Sequence, residues 1–84
     1  MYVLRTYEEA IEQIAALPNE ALDHYAQVID VLELAPWSGD PYNMSNPDGA
    51  MRQLVFGPNG RGMVTYLVLE DQRRVDVLRV LWSE

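Results

Sequence analysis

Two rhythms divide the chain. Between residues 7 and 34 apolar side chains recur every three or four positions, whereas between 51 and 82 they alternate with polar ones. Tyr7, Ala10, Ile11, Ile14 and Leu17 form one stripe of a helix over about 7–17, ended by Pro18. Thr6 followed three residues later by Glu9 is the pattern of a capping box at its start. Asn19 then serves as N-cap of a second helix, with Leu22, Tyr25, Ala26, Ile29 and Leu32 as its buried stripe and Pro36 beyond its end. Only a few residues separate the two helices, which predicts an antiparallel helical hairpin.

A short strand over about 2–5 precedes the hairpin. Residues 36–50 hold three of the five prolines and two of the five glycines, which is loop composition, and a connection of that length is often functional. Met51–Phe56, Met63–Leu69 and Val75–Trp82 read as strands, joined by the turn residues Gly57–Gly60 and by Glu70–Arg73. Such short connections make these three an antiparallel meander, while the edge taken by the first strand stays open. The predicted architecture is a single α+β domain over residues 1–84, β-α-α-β-β-β, with the hairpin packed on one face of an antiparallel sheet. Strict alternation along the last strand puts Arg79 with Val75, Val77 and Leu81, and Asp76 with Leu78, Val80 and Trp82.

Composition sharpens this picture. The 84 residues carry six basic and thirteen acidic groups, a net charge of −7, and the imbalance is local. Arg5 alone faces nine carboxylates in residues 1–50, whereas residues 51–84 are nearly balanced, with five arginines against four acids. All six cations are arginines, whose planar fork suits phosphate or carboxylate, so an anion is expected to meet the second half of the chain. The absence of cysteine excludes disulfides, thiol catalysis and thiolate metal sites, and one histidine makes a zinc site improbable. No apolar run approaches the roughly 18 residues of a membrane span, and Met1–Thr6 shows no signal-peptide pattern, so a cytoplasmic protein is expected.

Three passages resemble the RelE/ParE superfamily of bacterial toxins: Val31–Pro36, the hairpin Met51–Tyr66, and Val75–Leu81. The order of elements matches that family's plan over nearly the whole chain. The resemblance implies the toxin of a type II toxin–antitoxin pair, silenced by a cognate antitoxin. In the RelE branch it implies a ribosome-dependent mRNA endoribonuclease, in which basic residues and a tyrosine on the open sheet face help a 2′-hydroxyl attack the neighbouring phosphate. The alternative is a ParE-like gyrase inhibitor, or a toxin relic that acts as a protein-binding module without chemistry. By position the resemblance assigns Arg52, Arg61 and Tyr66 to the site, and Arg79 joins them as the last-strand arginine that could converge on the same face; no cofactor and no metal are expected. Antitoxin, and ribosome with mRNA, are the partners implied; a membrane is not, and a homodimer is allowed.

Each of these residues also has a plainer reading. The arginines balance nearby acids at the surface, with Arg73 and Arg74 solvated beside their turn. Tyr66 belongs to the core with its hydroxyl at the rim, His24 lies at the boundary of the second helix, and Trp82 is a packing plug. The functional reading therefore rests on one geometric expectation: that Arg52, Arg61 and Arg79 gather over an uncovered sheet face, opposite the acidic helices.

Overall fold

The computed structural model describes residues 1–83. It contains β1 (Val3–Thr6), α1 (Glu8–Ala15), α2 (Asn19–Leu34), β2 (Asp40–Pro41), β3 (Met51–Phe56), β4 (Gly62–Leu69) and β5 (Arg74–Trp82). The sheet has the order β1-β5-β4-β3-β2, and both helices cover one face of it. The α+β architecture and the four predicted strands and two helices are as the sequence pattern predicts, and a fifth strand, the two-residue β2, forms within the segment read as a loop. The sheet is mixed rather than wholly antiparallel, because β1 lies parallel to β5, with Leu4 opposite Val75 and Thr6 opposite Val77. The pairing joins the two ends of the chain, and a four-residue strand carries no local turn that would reveal its partner.

Thr6 pairs with Val77 as the last residue of β1, so the capping box does not form. Tyr7 caps α1 without a side-chain bond, and Glu8 and Glu9 occupy the first turn, where carboxylates complement the helix dipole. Pro18 rather than Asn19 caps α2. The buried stripe of α2 is Ala21, Tyr25, Val28 and Leu32, and Leu22 is exposed, as is Ile11 of α1. The stripe predicted from the sequence was one position off along α2, since Ala and Val side chains fit the close helix–sheet contact as well as Leu and Ile.

The helix-facing side of the sheet is a cross-strand row: Val68 opposite Val75, Tyr66 opposite Val77, Val64 opposite Val80 and Gly62 opposite Trp82. Val77 and Val80 both face the core because a β-bulge intervenes. Thr65 is opposite Arg79 while Tyr66 is opposite Val77, leaving Leu78 as the extra residue of β5. The bulge overturns strict alternation, placing Val75, Val77, Val80 and Trp82 together and sending Asp76 and Arg79 to the other face. Past the bulge, α1 replaces β1 at this edge, and the Val80 amide donates to the side-chain oxygen of Gln13 at 2.6 Å.

At the other end of the core, Tyr25 meets Phe56 edge-on and Phe56 meets Trp82 at a tilt, with ring centroids 5.8 and 5.9 Å apart. Gly62 permits this packing, because a Cβ there would stand 2.5 Å from the Phe56 ring. Leu32 is fully buried near the C-terminal end of α2. Leu32→Ala is expected to lower unfolding stability by about 2–5 kcal/mol, measured by urea denaturation, whereas Leu22→Ala changes it by less than about 1 kcal/mol.

Candidate functional site on the open sheet face

The face of the sheet away from the helices carries Val3 and Arg5 of β1, Asp76 and Arg79 of β5, Met63, Thr65 and Leu67 of β4, and Met51, Gln53 and Val55 of β3, as the register requires. Apolar and polar side chains share it about equally. Two concavities interrupt it. The first, about 220 Å³, is lined by Glu9, Tyr42, Met51, Thr65, Leu78 and Arg79. It lies between the first turn of α1 and the segment following β2. Arg79 supplies its cation, Glu9 its carboxylate, and Tyr42 and Thr65 its hydroxyls, a donor and acceptor set able to hold a phosphate and take up a proton.

The second, about 410 Å³, is lined by Arg5, Thr6, Tyr7, Glu8, Arg74 and Asp76. Asp76 is only 3% exposed, and its carboxylate accepts from Arg74 Nε at 2.8 Å and Nη2 at 3.3 Å, with the Tyr7 hydroxyl at 3.5 Å. Arg74 is therefore an ion-pair partner of a buried acid rather than a solvated turn residue.

Arg52, Arg61 and Arg79 do not share one face. Arg52 lies opposite Tyr66 in the register and both side chains point to the helical side. Arg52 is 7% exposed: Nε and Nη2 donate to the Gly39 carbonyl at 3.2 and 2.8 Å, and Nη1 donates to the Pro47 and Gly49 carbonyls at 3.1 and 3.2 Å. The Trp37 ring lies beside the guanidinium, 5.2 Å from ring centre to the central carbon. Tyr66 is fully buried and donates its hydroxyl to the Pro36 carbonyl at 2.6 Å, and burial raises its pKa against the opposing pull of Arg52. Gly39 allows this meeting, since a Cβ on it would collide with the Tyr66 hydroxyl.

Arg61 is exposed on the β3–β4 turn, four positions before Thr65 and hence roughly 13 Å along the strand from the Arg79 row. The helix-side placement was legible, since Arg52 is in phase with Leu54 and Phe56, and Tyr66 with Val64 and Val68. Glu9 and Tyr42 escaped sequence reasoning, the first because it fits a capping box and the second because it sits in a loop.

The loop is fastened at a third point. Glu70 accepts from the Tyr2 hydroxyl, from Trp37 Nε1 at 2.7 Å and from Arg73 at 2.8 Å. These bonds, that from Tyr2 first, then Trp37 and Arg73, bring the Glu70 pKa from 4.5 down to about 2. His24 is half-buried on α2, away from the open face.

No protein-family model and no curated protein matches the chain. Solved structures do match it over its whole length. A chain of the intact E. coli RelBE toxin–antitoxin complex superposes with a TM-score of 0.79 at 16% identity, covering 100% of this chain and 99% of that one. The isolated E. coli RelE toxin gives 0.72 at 19% identity, with 100% and 86% covered. The toxin–antitoxin complex RelBE2 of Mycobacterium tuberculosis gives 0.70 at 21% identity, with 96% of each chain covered. The chain has a RelE-like fold. None of the described helices is long and apolar enough to cross a membrane.

Two outcomes follow for stability. Arg52→Lys, which cannot reproduce the fork, is expected to cost about 1–3 kcal/mol in urea denaturation by leaving loop carbonyls unpaired. Because the folded-state pKa of Glu70 is depressed, its contribution is fully present above about pH 4.5 and is lost as pH falls toward 2. Urea midpoints measured across that window should decline less steeply in Glu70→Gln than in the wild-type chain.

Proposed function

We propose that the chain is the toxin of a toxin–antitoxin pair: a RelE-type endoribonuclease that cuts ribosome-bound mRNA and is silenced by a protein antitoxin. The observation that carries this reading is the full-length likeness to RelE chains, among them chains in complex with RelB, combined with an arginine on the sheet face the helices leave bare. In this reading Arg79 binds the scissile phosphate and offsets the charge that develops on it. Glu9 accepts the proton of the 2′-hydroxyl as that oxygen attacks phosphorus and the bond to the 5′-oxygen breaks. Thr65 and Tyr42 orient the phosphate oxygens. Arg52 and Tyr66, committed to main-chain carbonyls, hold the wall of the cleft rather than touch RNA.

A second reading, a protein-binding module without nuclease chemistry, draws support from that same commitment of Arg52 and Tyr66. Induced expression followed by mapping of transcript 5′ ends separates the two. Growth arrest with new ends inside translated messages is expected, and Arg79→Ala should lower cleavage by about 10²-fold with an unchanged urea midpoint, since the side chain is exposed. Unaltered transcripts on expression of the wild-type chain would remove the nuclease reading.

A further inference from the structure

The loop that carries Tyr42 into the Arg79 cleft has few fastenings of its own. Between Asn43 and Gly49 the main-chain bonds are local, from Asn46 to Asn43 and from Gly49 to Asn46, and the Tyr42 side chain is half exposed. The two residues of β2 pair with β3 just before it, and the Tyr42 amide donates to the Met51 carbonyl at 3.0 Å. Arg52 clamps both sides of that short seam, taking the Gly39 carbonyl before it and those of Pro47 and Gly49 after it. The Arg52 guanidinium lies over the Trp37 ring, and the ring is itself held by one bond, from Nε1 to Glu70.

Trp37 suits this junction because its edge and its face make different contacts. The indole N–H is a single donor, spent on the carboxylate, and the ring face meets the cation. Glu70 is a fixed post rather than a free side chain. Its Oε1 accepts from Trp37 and from the Tyr2 hydroxyl, and its Oε2 from Arg73 at 2.8 Å. Arg73 also covers Tyr2, 4.3 Å from guanidinium carbon to ring centre, and the Tyr2 amide donates to the Glu33 carbonyl of α2 at 2.8 Å. The post therefore belongs to the packed body, on the turn joining β4 to β5, the strands that bear Thr65 and Arg79. It stands five positions beyond Thr65, roughly 16 Å along the strand, and so touches nothing bound in the cleft.

The geometry points to Glu70 as a positioning residue of the candidate site: through Trp37 and then Arg52 it sets the seat of residues 39–49, and with it the place of the Tyr42 hydroxyl beside Arg79. Without the Glu70–Trp37 bond the indole turns freely and one side of the Arg52 guanidinium meets water. Its bonds to the three loop carbonyls then compete with hydration. The loop loosens at Tyr42 while the sheet beneath it stays packed. Both side chains of the Glu70–Arg73 pair are half exposed, so the pair adds modestly to global stability, and the larger consequence of losing Glu70 is local. The inference rests on the reading of the Arg79 cleft as the cutting site, and it adds to that site a residue that acts without contact with RNA.

The test uses the full chain. Trp37→Phe keeps a ring against Arg52 and removes the N–H, whereas Glu70→Ala removes the acceptor. Each is expected to speed amide hydrogen exchange at Tyr42 about tenfold or more relative to Val64 in the core, and the double variant should do no more than either alone. Glu70→Gln, whose side-chain oxygen still accepts from Trp37, should stay within about twofold of the wild-type chain. On translating ribosomes, Glu70→Ala should lower the single-turnover cutting rate about fivefold or more with unchanged ribosome binding. In a Tyr42→Phe background the same change should alter that rate less than about twofold. Unchanged exchange at Tyr42, or exchange that rises equally at Val64, would overturn the positioning role. So would a cutting rate that falls just as far in the Tyr42→Phe background. If the wild-type chain cuts no message, the nuclease reading falls, and exchange at Tyr42 alone decides whether Glu70 holds the loop.

Discussion

A guanidinium withdrawn from water must be paired or it will not stay folded inside, and Arg52 meets that demand with main-chain oxygen alone. Its four donated bonds converge on the carbonyls of Gly39, Pro47 and Gly49, and the Trp37 ring closes over it. A loop rich in proline and glycine is thereby drawn onto the sheet: Gly39 is pulled beneath Tyr66, β2 docks on β3, and Tyr42 is carried over the edge to wall the cleft. Tyr66 and Glu70 complete the fastening, one through the Pro36 carbonyl and the other through Trp37 and Tyr2. Residues that resemble a toxin's catalytic set by position thus shape the site from behind it.

The second constraint is the bulge at Leu78. One additional residue in β5 lets valines at both 77 and 80 enter the core and turns Arg79 outward beside Thr65. It also ends the pairing with β1 and frees the Val80 amide for Gln13, which brings α1, and Glu9 with it, to the rim of the open face. Core packing and the location of the one cleft cation are therefore consequences of the same irregularity.

Charge follows the layers of the fold. The helices hold most of the carboxylates, and the open face sets Arg5, Arg74 and Arg79 among aliphatic and neutral polar side chains, with Asp76 held by Arg74. That division leaves the helical side acidic and gives the bare side of the sheet exposed arginine. The RelE-like fold supplies this two-sided plan, while the residues that occupy it are this chain's own.

The α+β class, the helical hairpin and the three-strand meander were readable because each follows from local periodicity and turn chemistry. Even the burial of Arg52 and Tyr66 was encoded in their phase with Leu54, Phe56, Val64 and Val68. The parallel seat of β1, the bulge and the path of residues 36–50 were not readable. Each depends on partners 13 to more than 60 positions away, such as Gly39 with Arg52 and Tyr2 with Glu70. Periodicity reports which face a residue prefers within its own element. Which elements meet, and which polar groups are then left to satisfy one another, is decided only when the chain closes on itself.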